Sequence, residues 1–509
     1  MNANVGRFLH HWALQDPERT GILDSGPGEI RYSYGELDRE ARRVAGHLRS
    51  RGLGLHDRVA ICTGNGLHFV AAWFGAAYAG CTTLPIPFMS TAHEIAFRLQ
   101  HARCKALLAD AERSAVAQES QLRAGDFCAL LSIEEALAGD VSEEAPCHAP
   151  ADAFAMLLYT SGTTGAAKGV CITHGSLGAH TRALAEQTLE LTSEDRILGT
   201  LPLTHSYGIR TTLLAPFFAG ASTVFVPRFS AALTLELCTR HRVTWLPAVP
   251  TMLVAWANEP SGPVPPALRW CLSAGAPLLE NVRRRAEDRL GAPVRQGYGL
   301  TEANLAAINA PPDRLLEGSC GKPVPGIEIR IAGDSEEELP PGERGEVLIR
   351  GQNVMAGYLD DKIASAHVMR GGWLHTGDIG FLDGEGRLTI VDRSKDLILR
   401  GGASIYPSEL ENVLAHHSAI DDVAVVGVPH DYYGEEVIAV VVRSMKVTTR
   451  ELDAWVRERL APYKVPRGYA FIESIPEGPS GKRMKRRLRD QLVAGEIEIE
   501  RLATHGTAH

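Results

Sequence analysis

Apolar and polar positions follow two periods along this chain, and the two take turns. Ser33, with Glu36 three residues on, is a capping-box signature ahead of a run with apolar positions at helical spacing to about Arg51. Val59-Ala60-Ile61-Cys62 follows as an unbroken apolar block, the mark of a strand buried on both faces. The same reading predicts strands at Ala106–Leu108, Phe154–Leu158, Val224–Val226, Val243–Leu246 and Trp270–Ser273, with helical stretches between them. Alternation of this kind predicts an α/β fold, with parallel sheets covered by helices.

After about Val391 the pattern starts again on a smaller scale. Pro407 opens a helix over Ser408–Ala415, strands are predicted at Val423–Val426 and Val437–Val442, and Thr448 with Glu451 caps another helix. The chain has 509 residues, enough for more than one domain. The tail is long enough for a separate lobe of about 110 residues. The charged string Asp392-Arg393-Ser394-Lys395-Asp396 reads as the exposed joint between the two parts.

Candidate chemistry begins at Tyr159-Thr160-Ser161-Gly162-Thr163-Thr164-Gly165-Ala166-Ala167-Lys168-Gly169, directly after the predicted strand Phe154–Leu158. Glycines let backbone N–H groups approach phosphate oxygens, the hydroxyls add donors, and Lys168 adds a point charge. This is not the nucleotide P-loop common among ATPases, because Ala167 stands where that motif has Gly and Gly169 where it has Ser or Thr. Four further strings follow in order: Ser273-Ala274-Gly275-Ala276-Pro277, Gln296-Gly297-Tyr298-Gly299-Leu300-Thr301-Glu302, His375-Thr376-Gly377-Asp378 and Gly478-Pro479-Ser480-Gly481-Lys482.

Together these resemble the core motifs of the adenylate-forming superfamily, which includes acyl-CoA synthetases, nonribosomal adenylation domains and luciferases. The chain is most similar to a free-standing acyl-CoA ligase. The resemblance implies a large N-terminal domain of packed α/β subdomains over residues 1–393. It also implies a small mobile α+β domain over 394–509 that carries the adenylation lysine. It implies ATP, Mg²⁺ and coenzyme A, or the phosphopantetheine of an acyl or peptidyl carrier protein, as cofactors. Thr160, Ser161, Gly162, Thr163, Thr164 and Lys168 would hold phosphates. Gly275, Ala276, Gln296, Gly297 and Tyr298 would flank adenine, and Asp378 and Arg393 would hold the ribose. Thr301 would touch the α-phosphate, Glu302 would hold the metal, and Lys482 would serve adenylation. Lys395 would be the hinge. Leu201-Pro202-Leu203-Thr204-His205-Ser206-Tyr207-Gly208 is similar to the family's acyl-pocket segment, with His205 as gate and Ser206, Tyr207, Gly275 and Gly299 along the pocket.

The acid is less narrowly specified. The stretch Ser206-Tyr207-Gly208-Ile209-Arg210 has no acidic residue to hold an α-amino group, which disfavours amino acids. A fatty or other simple acyl chain is the first choice. Arg210 and Arg284 keep a short dicarboxylate such as malonate open, since a second carboxylate needs a cation, and an aryl acid is a third option. An oxidative, luciferase-like activity is disfavoured, because Leu399 stands where that branch has a second lysine.

Bulk properties add limits. With 45% apolar and 22% charged residues the composition is that of a soluble globular protein. A net charge of −9 argues against nucleic acid as a partner. The basic run Arg483, Lys485, Arg486, Arg487 and Arg489 reads as a solvated helix face, or as a contact for coenzyme A phosphates. Nine cysteines without paired spacing read as reduced thiols. Neither a leader with an apolar core nor a spanning segment is recognised, so a cytoplasmic location is expected.

Overall fold

The computed structural model describes residues 2–26, 28–125, 128–160, 167–333, 335–393, 396–400, 403–430, 433–460, 462–478 and 483–501. Among these the strands form three sheets. In one, Arg58–Cys62 lies between Thr82–Pro85 and Ala106–Ala109, all parallel, and its far side is the antiparallel pair Phe154–Thr160 and Lys168–Thr173. In the largest, Ser222–Phe225, Arg196–Gly199, Trp245–Ala248, Trp270–Ser273 and Val294–Leu300 run parallel. That sheet then turns antiparallel through Asn304–Ile308, Ser319–Pro323, Leu388–Arg393 and Trp373–Leu382. The helices cover the parallel strands, as the alternation predicts.

Local signals explain most boundaries. Both capping boxes form: Ser33 with Glu36 starts the helix Tyr34–Arg49, and Thr448 with Glu451 starts Thr449–Arg457. The helix Leu67–Ala79 is buried on nearly every face, which its all-round apolar sequence requires. It lies so close to Tyr34–Arg49 that a Cβ on Gly75 would stand 2.5 Å from Val44 Cβ. The strand predicted over Val243–Leu246 instead occupies Trp245–Ala248. Arg242 takes a positive φ of 52°, and the Val243 N–H closes the preceding helix on Cys238 O, so neither can start the ladder.

The antiparallel half of the large sheet is absent from the sequence reading. Trp373–Leu382 is interrupted by Gly377 and Gly380 and half-exposed, so no apolar block marks it.

The third sheet belongs to the small C-terminal domain. Ile420–His430 and Gly434–Arg443 form one long antiparallel ladder, joined by Ile398–Arg400, Ala403–Ile405 and Gly468–Phe471. The two domains touch through the helices Glu280–Leu290 and Pro407–Ala415, where Asn281 Nδ2 donates to Ala415 O at 2.8 Å. The Asp392 carboxylate accepts the Ser408 N–H at 3.0 Å, tying the end of the large domain to the first helix of the small one. All nine cysteines are free, and all but Cys147 are buried. No helix among the described residues is long and apolar enough to cross a membrane.

Candidate active site

The strand Val294–Leu300, the turn after it and the returning strand Asn304–Ile308 form the scaffold of the site. The hairpin closes so tightly that a Cβ on Gly299 would lie 2.0 Å from Asn304 O, which reserves that position for glycine. On the other side Gln296 pairs in parallel register with Ser273. This sets Gln296 and Gly297 beside the strand whose end carries Gly275 and Ala276. Gly275 has φ +90°, a turn that a side chain would strain.

Tyr298 is buried in this scaffold. Its hydroxyl donates to Asp378 Oδ2 at 2.6 Å. Asp378 lies on Trp373–Leu382, directly across the ladder from Arg393. The turn before it is held by Glu346, which accepts from the Gly377 N–H at 3.0 Å and meets His375 Nδ1 at 2.9 Å. Tyr298 and Asp378, eighty residues apart in sequence, thus share one corner, with the backbone of Arg393 across the ladder from Asp378.

A second corner lies at the turn holding Thr301 and Glu302. The phenol of Tyr358 donates to Glu302 Oε1 at 2.9 Å, and the Lys168 ammonium lies over the same ring, 4.9 Å from its centre. Burial, and then the Glu302 charge, push the Tyr358 hydroxyl well above the usual tyrosine range, so it is a standing donor. Thr160 faces Lys168 across the antiparallel pair. Ser161, Gly162, Thr163 and Thr164 lie outside the described residues, as do Lys395 and Lys482. Tyr358 belongs to none of the sequence motifs. An aromatic beside Gly357 in a two-residue strand carries no signal that separates it from a core residue.

The acyl segment forms a third corner. His205 precedes the helix Ser206–Ile209, and burial, with the Arg98 charge behind it, holds its ring below the usual histidine range, hence neutral. Ser206 Oγ donates to Asn304 Oδ1 at 2.9 Å, and Asn304 Nδ2 donates to Asn353 O at 2.8 Å, which fastens this helix to the hairpin beside Glu302. Tyr207 donates to Leu272 O at 2.7 Å.

The two candidate arginines part company. Arg284 is two-thirds exposed and bonded to Glu280 at 2.7 Å, so it does not face an acyl pocket; the helix face it occupies points to solvent. Arg210 is fully buried. Its Nη1 lies 3.2 Å from His180 Nδ1, while His180 Nε2 donates to Leu305 O at 2.8 Å. Burial lowers Arg210 to about 9 and His180 to about 3. Arg210 Nε and Nη2 have no hydrogen-bond acceptor among the described residues. The basic run near the C-terminus is only partly a solvated face. Arg483 pairs with Asp422, Lys485 with buried Glu411 and Arg489 with Glu435, while Arg486 and Arg487 are exposed.

The sequence of residues 9–359 matches the AMP-binding enzyme family, and residues 409–482 match the AMP-binding enzyme C-terminal domain. A feruloyl-CoA synthase from Amycolatopsis sp is 34% identical over 495 residues, covering 96% of this chain and 99% of the relative. A long-chain-fatty-acid–CoA ligase from Bacillus subtilis is 31% identical over 533 residues, covering 96% and 95%. The crystal structure of ATP-bound MatB from Rhodopseudomonas palustris superposes with a TM-score of 0.91 at 30% identity, covering 97% of this chain and 99% of that one. The chain belongs to the AMP-binding enzyme family, within the adenylate-forming superfamily. It is an AMP-forming synthetase of the acyl-CoA ligase type.

Proposed function

We propose that this enzyme joins a carboxylic acid, a fatty or other simple acyl chain, to coenzyme A by way of an acyl-AMP. The observation that carries the reading is the hairpin Val294–Ile308. It carries Tyr298, bonded to Asp378, and Glu302 four residues apart, so that the Cα atoms of Tyr298 and Glu302 lie at most ~14 Å from one another. The hairpin thus fixes, through Tyr298, the Asp378 carboxylate on Trp373–Leu382 for ribose hydroxyls, and at its own turn carries a carboxylate that shares Tyr358 with a lysine.

In the first half-reaction the acid's carboxylate oxygen attacks the α-phosphorus of ATP, the bond to the β-phosphate oxygen breaks, and pyrophosphate leaves. Asp378, with Arg393, holds the ribose. Thr160 and Lys168 flank the phosphates, Thr301 meets the α-phosphate, and Lys482 reaches the reacting carboxylate from the small domain. Such a step depends mainly on positioning and on cations placed where charge develops. Mg²⁺ fits Glu302, since this ion takes one or two carboxylates and completes its shell with substrate phosphates. It would supply neutralisation of phosphate charge. In the second half-reaction the thiol sulfur attacks the acyl carbonyl and AMP leaves. The small domain, from residue 394, turns about Lys395 between the two, and neutral His205 gates the passage from acid to thiol. Coenzyme A is favoured over a carrier protein because the named relatives are CoA ligases.

For the acid, a single-carboxylate acyl chain is the first reading. Arg210 supports a second, an acid with another anionic group, because a buried guanidinium with two nitrogens, Nε and Nη2, lacking acceptors among the described residues is costly until an anion reaches it. The test is a panel of fatty, aryl and dicarboxylic acids scored for acid-dependent pyrophosphate release and for thioester formation with coenzyme A. Pyrophosphate release that no acid stimulates, or acyl-AMP that coenzyme A never accepts, would refute the reaction. Preference for dicarboxylates, abolished by Arg210→Leu, would decide for the second reading.

A further inference from the structure

We propose that Tyr358 is a positioning residue that keeps the phosphate-loop lysine and the metal carboxylate apart and ready for Mg·ATP. The backbone brings it there from both sides. The Met355 N–H donates to Glu302 O at 2.7 Å, and the Leu359 N–H donates to Gly169 O at 2.7 Å. Between these anchors Gly357–Tyr358 pairs with Lys168–Thr173, with Tyr358 opposite Val170. The Ser365 hydroxyl receives the Tyr358 N–H at 2.8 Å. The short segment 355–359 is therefore stitched to the turn of Glu302 and to the strand of Lys168.

The side chain repeats the arrangement. Its hydroxyl serves Glu302 and its ring face serves Lys168. A lysine and a carboxylate that share one side chain as their common neighbour attract each other and could pair directly without it. That ion pair would have to break before the lysine could meet phosphate and the carboxylate a cation. A ring face and a neutral phenol hold the two charges by weaker, separate contacts. The hydroxyl engages only one Glu302 oxygen and the ring leaves the ammonium N–H groups undirected, so both contacts persist while the carboxylate takes a cation and the lysine meets phosphate. Tyr358 is thus a spacer whose two ends act on two different groups.

The two ends can be told apart. This rests on the adenylation reading, so wild-type binding of ATP, measured by calorimetry with Mg²⁺ and in chelator, comes first; no binding at all would refute that reading and not this one. Tyr358→Phe keeps the ring and loses the hydroxyl. It should raise the Mg²⁺ concentration for half-maximal ATP binding roughly tenfold and leave metal-free ATP binding unchanged. Tyr358→Leu loses both, and should in addition weaken metal-free ATP binding by about two- to fivefold. Melting temperature establishes that each variant is folded. A double-mutant cycle with Glu302→Gln adds a readout independent of packing: the two changes should be strongly non-additive in Mg²⁺ dependence. Additive effects, or a Phe variant with wild-type Mg²⁺ dependence, would overturn the proposal. So would a Phe variant whose metal-free ATP binding falls as much as its Mg²⁺ dependence.

Discussion

The Tyr298 hydroxyl donates to Asp378 Oδ2 at 2.6 Å across eighty residues of sequence. Both groups are buried, and the bond ties the hairpin that also carries Glu302 to the strand facing Arg393. Under the proposed reaction it aligns the carboxylate that receives the ribose hydroxyls.

Asp378→Ala should therefore raise the Michaelis constant for ATP without altering which acid is preferred. Ribose lies far from the reacting carboxylate, so the lost interaction is mostly uniform binding. Initial rates against ATP with two different acids check this. Unchanged ATP dependence with altered acid choice would assign Asp378 to the acyl pocket instead.

Lys482→Ala should cripple acyl-AMP formation and spare transfer from supplied acyl-AMP. Loss of one donor at a developing charge costs about 10²–10³ in rate. The half-reactions are measured separately, by pyrophosphate exchange and by thioester formation. Equal loss in both would remove the lysine from the adenylation step.

Lys395→Pro should still make acyl-AMP but transfer it poorly. Proline fixes φ and removes an N–H, which blocks the dihedral change a hinge needs. The comparison needs a variant whose melting temperature is close to wild type. If both rates fall together, or neither does, the pivot lies elsewhere.

Acid should destabilise the fold through its buried histidines. Burial lowers His174 to about 4 and His180 to about 3, against an ordinary value of 6.5. A group with a depressed basic pKa is neutral in the folded state while the unfolded chain takes up a proton. Stability from these residues is therefore complete above pH 6.5 and declines as pH falls from there toward the folded values. Melting temperature followed from pH 8 to pH 4 should be flat and then fall. A His180→Gln variant should show a shallower fall; an identical profile would mean that His180 does not contribute.

Much was legible along the chain. The capping boxes at Ser33 and Thr448, the buried blocks at Val59–Cys62 and Trp270–Ser273, and the renewed pattern after Val391 are local signals, because helix caps and buried strands depend on residues within one or two turns. The motif residues were legible as types suited to phosphate, ribose and metal.

Partnership was not. That Tyr298 bonds Asp378, that Ser206 reaches Asn304, and that Tyr358 stands between Lys168 and Glu302 are facts of how distant strands pair. Arg210 and Arg284 make the same point. Both are arginines on helical segments, yet one is fully buried against His180 and the other is exposed beside Glu280. The sequence alone determined which chemical groups this chain carries and which local elements hold them. Only the tertiary structure decided which of those groups meet, because burial and distance between far-separated residues are set by the packing of whole sheets.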